Sequence, residues 1–124
     1  INQGQMDRWS IVATLNYLPP AEEEAIVKAK VPGAKPADIK KMVALANLTR
    51  AGFIAGDIST VMSPRTVITW AENFSIFGAL AESFALSFLN KVDISERSVI
   101  AEYYQRAIGE DLPGYASKKS SIAS

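Results

Sequence analysis

The sequence contains neither cysteine nor histidine. It can form no disulfide, offers no thiol nucleophile, and builds no Cys/His zinc site and no histidine-based triad. Charge of one sign is not in excess either: 13 Lys+Arg face 13 Asp+Glu over 124 residues, for a formal net charge of zero. Nucleic-acid binding through bulk positive charge is therefore not expected, which leaves only a local basic patch for that purpose. Long apolar runs are missing as well. The most apolar stretch, residues 74–89, is broken by Ser75, Gly78, Glu82, Ser83 and Ser87, too short and too polar for a bilayer span. No basic region precedes an apolar run near Ile1, so no signal peptide and no membrane association are expected, and the expected location is the cytoplasm.

What is present is ordinary globular material. Hydrophobic residues make up 48% and charged residues 21%, too apolar and too neutral for intrinsic disorder and enough for one modest core. Residues 10–17 alternate, with Ile11, Ala13, Leu15 and Tyr17 on one side and Val12, Thr14 and Asn16 on the other. That period predicts a strand. A single strand cannot complete its own ladder, so its sheet is expected in sequence outside this chain.

The remainder reads as helix. Pro20 suits a first helical turn, and Glu22, Glu23 and Glu24 suit the positive end of the helix dipole. Ala25, Ile26, Ala29 and Val31 are expected on the apolar side of that helix, which Pro32-Gly33 ends. Pro36 starts a second helix, with Ile39, Met42, Val43, Ala46 and Phe53 recurring at helical steps and Gly52 and Gly56 at its end. Residues 58–62 read as a small extended piece. Ser63-Pro64 pairs an N-cap hydroxyl with proline at the first helical position, and Val67, Ile68, Ala71 and Phe74 line one face of the helix that follows. Gly78 separates it from a helix with Leu80, Phe84, Phe88 and Leu89; Asp93 or Ser95 caps a last one, which ends at Gly109 and Pro113. The fold class is mainly α, a small helical bundle preceded by one strand.

Few residues can carry chemistry. Arg8 precedes the expected strand; on local grounds it is either a surface arginine paired with a carboxylate or a functional cation. Arg65 lies in the first turn of its helix, where a cation opposes the dipole. It either lays its stem over apolar surface or faces an anion drawn to the helix N-terminus. Glu22 to Glu24 point in different directions along a helix, so they are expected on a solvated face rather than at a metal, and no metal ligand is assigned. Trp9, Trp70, Tyr103 and Tyr104 read as core or interface anchors. No Gly-x-x-x-x-Gly-Lys-Ser/Thr loop occurs, so the chain by itself lacks a P-loop ATPase's phosphate cradle.

Three phrases together resemble the later part of the CobS family of aerobic cobaltochelatase subunits, which are AAA+ ATPases related to the MoxR group. They are residues 1–12 (INQGQMDRWSIV) followed by Leu15-Asn16-Tyr17-Leu18-Pro19, residues 63–73 (SPRTVITWAEN), and Phe88-Leu89-Asn90-Lys91 with residues 101–106 (AEYYQR) after it. The resemblance implies that residues 1–18 close an AAA+ core, with the orphan strand as its last. Residues 19–112 would then form the helical lid and residues 113–124 a flexible tail. It implies that Arg8 is an arginine finger reaching a neighbouring subunit's γ-phosphate, and that Arg65, in the Ser-Pro-Arg motif with Pro64, is the sensor 2 arginine. Both would be catalytic groups, and guanidinium suits them because its fork binds phosphate oxygens and stays charged. Tyr17 and Leu18 would fall near the adenine pocket. The implied cofactors are ATP and Mg²⁺, with the magnesium ligands outside this chain. The implied partners are further copies in an AAA+ ring together with CobT-like and CobN-like subunits, the last holding the corrin into which cobalt is inserted. Two other functions suit the same residues: a non-enzymatic helical protein-interaction module, and a MoxR-like chaperone for metal insertion elsewhere.

Overall fold

A computed structural model describes residues 10–13 and 18–114 of the chain. Those residues are mainly helical, with no strand among them. After a helical stretch at residues 10–13, five helices follow in order: α1 Pro20–Lys30, α2 Pro36–Ala55, α3 Pro64–Phe77, α4 Leu80–Ser87 and α5 Arg97–Ile108. Two 3₁₀ turns, Leu89–Lys91 and Ile94–Glu96, join α4 to α5. Among the described residues no helix is long and apolar enough to cross a membrane.

The helix starts are local chemistry. Pro20, Pro36 and Pro64 each stand in a first turn, where the missing N–H costs nothing. Ser63 Oγ accepts from the Thr66 N–H at 3.2 Å, the expected N-cap. Asp93 caps the 3₁₀ turn Ile94–Glu96, its Oδ1 accepting from the Ser95 N–H at 3.2 Å, whereas α5 starts after Glu96 with no side-chain cap, so neither Asp93 nor Ser95 caps it. Gly56, Gly78 and Gly109 close α2, α3 and α5 at φ of 90°, 73° and 91°, a left-handed conformation natural to glycine.

The core lies where α2, α3, α4 and α5 meet. Trp70 of α3 packs at a tilt against Phe84 of α4 with ring centroids 4.8 Å apart, and Phe84 meets Tyr104 of α5 at 5.3 Å and Phe88 at 5.9 Å. The Trp70 indole N–H donates to the Leu80 carbonyl at 3.1 Å, so the largest buried ring leaves no polar atom unpaired. The expected α2 stripe of Ile39, Met42, Val43, Ala46 and Phe53 is buried. Gly52 is buried on that helix too, because the Tyr103 side chain of α5 closes directly over it.

Three expectations are corrected. Residues 10–13 are helical, not extended, with Val12 buried. No strand among the described residues could complete a ladder there, whereas a helix satisfies its backbone locally. The rest of the expected strand, Leu15 and Tyr17 included, lies outside the described residues. Residues 58–62 form an irregular connection rather than a strand, pinned from both sides by side chains. On α1 the buried side is Glu23 and Val27, with Val31 at the C-cap buried as expected, while Ala25, Ile26 and Ala29 face outward. The expected solvated face of Glu22 to Glu24 is thus broken at its middle residue, for which α2 carries a partner.

Candidate functional site

The start of α3 and the outer side of α1 form the walls of a groove of about 530 Å³. Ser63, Pro64, Arg65, Ile68, Thr69 and Glu72 line it from the α3 side. Ile26 and Lys30 line it from α1, and Leu18 lies at its edge just before that helix. Three of the residues singled out in the sequence, Leu18, Pro64 and Arg65, therefore come together. Arg8 and Tyr17 lie outside the described residues.

The local reasons are short-range. Pro64 fixes φ at the first helical position and Ser63 occupies the Thr66 N–H, so the first turn of α3 is held rigidly. Arg65 projects from that turn and is exposed, and no ion pair among the described residues holds it. Its charge opposes the helix dipole, so a negatively charged group beside it would be doubly favoured. Lys30, in the last turn of α1, adds a second cation at a helix end that favours one. Ile26, Ile68 and Leu18 supply apolar wall. The lining offers two cations, Arg65 and Lys30, one carboxylate, Glu72, two hydroxyls and an apolar strip, so a ligand with a flat apolar part and an anionic part would meet its charge complement at the Arg65 and Lys30 side.

Behind the groove is a polar cluster that periodicity did not reveal. Arg50 of α2 and Glu23 of α1 are 2% and 0% exposed. The guanidinium grips the carboxylate with both ends of its fork, Nη1 to Oε1 and Nη2 to Oε2, each at 2.7 Å. Nη1 also donates to Asn47 Oδ1 at 3.0 Å, and Nε donates to the Met62 carbonyl at 2.9 Å. The Met62 N–H in turn donates to Thr49 Oγ1 at 3.2 Å. Both polar groups of the Met62 backbone are thereby held by neighbouring side chains of α2, one residue before the Ser63 cap. The signal in the sequence is an interruption of the α2 stripe, where Thr49 and Arg50 stand between Ala46 and Phe53 on the buried side.

Two tyrosines of α5 feel their surroundings. Burial pushes the Tyr104 phenol up to about 12, helped by the negative charge of Glu110. Tyr103 is raised first by burial and then by Asp57, with Arg106 opposing. Both are therefore protonated core groups and take no part in the groove.

No protein-family model matches the chain, and no solved structure does. A curated relative does: the aerobic cobaltochelatase subunit CobS of Sinorhizobium sp is 62% identical over 117 residues, a match covering 90% of this chain. The chain spans 35% of that relative's length. Along nearly all of its own length, then, this protein is similar to the C-terminal part of a CobS cobaltochelatase subunit.

Proposed function

We propose that this chain is the lid-forming, C-terminal part of a CobS-type AAA+ ATPase subunit, which couples ATP hydrolysis to cobalt insertion into a corrin ring during cobalamin biosynthesis. Residues 1–18 end the nucleotide-binding core and residues 19–112 form the lid. The observation that carries this is the groove: it gathers Leu18, Pro64 and Arg65, together with Lys30, on one surface, in a chain 62% identical to CobS.

A nucleotide fits the residues present. Ile26, Ile68 and Leu18 cover an apolar base and keep water from it, while Arg65 and Lys30 face the anionic end. Arg65 suits the phosphate oxygens because its planar fork donates two parallel hydrogen bonds and never loses its charge. The capped first turn of α3 fixes the backbone from which it extends. Mg²⁺ would accompany the nucleotide, and its ligands are assigned to the core outside this chain. Arg8 acts in trans, its charge stabilising the phosphoryl-transfer transition state at a neighbouring subunit's site, an effect on the order of 10³-fold or more in rate. The ring of subunits works in the cytoplasm with CobT-like and CobN-like partners, and the corrin and cobalt are handled by the latter.

The test uses the full-length subunit. Arg65→Ala should weaken nucleotide affinity about tenfold, the loss of roughly one charge-assisted contact, read by titration with a fluorescent ATP analogue. Wild-type affinity and turnover in that variant would remove Arg65 from the nucleotide site. A non-enzymatic interaction module is the second reading, favoured by Ile76, Phe77 and Leu86, which are exposed at the far end of α3 and on α4. Partner binding that ignores both nucleotide and Arg65→Ala would select it.

A further inference from the structure

Arg50 of α2 holds both the Glu23 carboxylate of α1 and the Met62 carbonyl just before α3, and α1 and α3 are the two walls of the groove. Glu23 sits three residues before Ile26 and seven before Lys30, about one and two turns along α1. Arg50 holds the carbonyl of Met62, three residues before Arg65. One guanidinium therefore fixes the distance between the wall bearing Lys30 and the wall bearing Arg65. Thr49 Oγ1 accepts from the Met62 N–H, so the peptide groups on both sides of the Met62 Cα are tied to α2.

A buried ion pair is a poor device for stability alone. The cost of desolvating both charges offsets much of their attraction, and apolar residues of similar volume often fold as well or better. What an apolar pair lacks is direction. A bidentate fork with two 2.7 Å contacts and a third bond at 2.9 Å sets angles as well as distances. We infer that Glu23 and Arg50 are positioning residues that set the groove's width and the aim of Arg65, and through them its affinity for a nucleotide. The inference rests on the nucleotide reading of the groove and goes one layer beneath it.

The experiment is done in the full-length subunit with three variants: Arg50→Lys, which keeps the charge and loses the fork; Glu23→Leu/Arg50→Met, which replaces the pair by apolar groups; and Arg65→Ala as reference. Spin labels on Ala29→Cys and Ser75→Cys, both exposed, report the separation of α1 and α3. Thermal unfolding reports stability, and titration with a fluorescent ATP analogue reports affinity. The expected result is a folded Glu23→Leu/Arg50→Met protein with a shifted or broadened label distance and affinity weakened about tenfold or more, since about 1 Å of misplacement suffices for large losses. Arg65→Ala should then add little further loss in that background. An unchanged label distance overturns the inference, and so does a changed distance with wild-type affinity. In the second case Arg65→Ala in the otherwise wild-type subunit tells whether the nucleotide reading falls too. Should the apolar pair fail to fold, Arg50→Lys decides by the same two readings.

Discussion

Gly52→Ala sets two physical rules against each other, and they differ in sign. Gly52 is an interior residue of α2, where alanine is favoured over glycine by about 1 kcal/mol in a helix. Helix propensity therefore expects the variant to be stabilised. Packing expects the reverse. A Cβ at Gly52 would run into the Tyr103 hydroxyl and come within 2.9 Å of Cζ and 3.1 Å of Cε2 of the same ring. The ring cannot swing clear, because Tyr103 is itself largely buried on α5. Overpacking of this kind costs roughly 1–3 kcal/mol, and more where the neighbour is rigid. Taking about 3 kcal/mol for so direct an overlap and subtracting about 1 for propensity leaves a net loss of about 2 kcal/mol. For a domain of about 100 residues that lowers Tm by roughly 8–16 °C. Urea denaturation followed by circular dichroism gives the value. Tyr103→Phe should recover only part of the loss, since the ring carbons still crowd the Cβ; Tyr103→Leu in the Gly52→Ala background should recover more. A Gly52→Ala protein as stable as wild type, or more so, would refute the close approach of α2 and α5 at this point.

Two further outcomes follow from single groups. Ser63→Ala removes the acceptor of the Thr66 N–H and should cost about 1 kcal/mol, read as a lower urea midpoint with an unchanged m-value; no loss would mean that water caps α3 equally well. Tyr104, with its pKa raised to about 12, should not ionise with an ordinary phenol near 10. The unfolded chain releases that proton at lower pH than the folded one, so its contribution to stability is whole below about pH 10 and falls as the pH rises towards 12. Phenolate absorbance of Tyr104→Phe subtracted from wild type isolates the group, and a difference midpoint near 10 would place the phenol in water.

Much of the helical outline was legible because its signals act within a turn. Ser63-Pro64, Pro36, Gly78 and Gly109 each mark a boundary by φ preference or by a cap, whatever packs nearby. The α2 stripe was legible for the same reason, since its spacing is its own helix's geometry. Residues 10–13 were misread because alternation signals a strand only where a neighbouring strand accepts it. Glu23 was misread because a carboxylate among carboxylates looks solvated until its partner is known.

Of the groove, Pro64 and Arg65 could be named in advance from their motif. Lys30 and Ile26 could not, since nothing in α1 says which of its sides faces α3. The sequence alone decided where helices begin and end, which residues can carry lasting positive charge, and that cysteine and histidine chemistry play no part. Only the tertiary structure decided that Arg50 meets a carboxylate 27 residues away, that α1 buries its acid rather than its isoleucine, and that Arg65 shares a groove with Lys30. Caps and dihedral preferences are settled by the nearest few residues. Burial and ion pairing are settled by what the folded chain brings alongside.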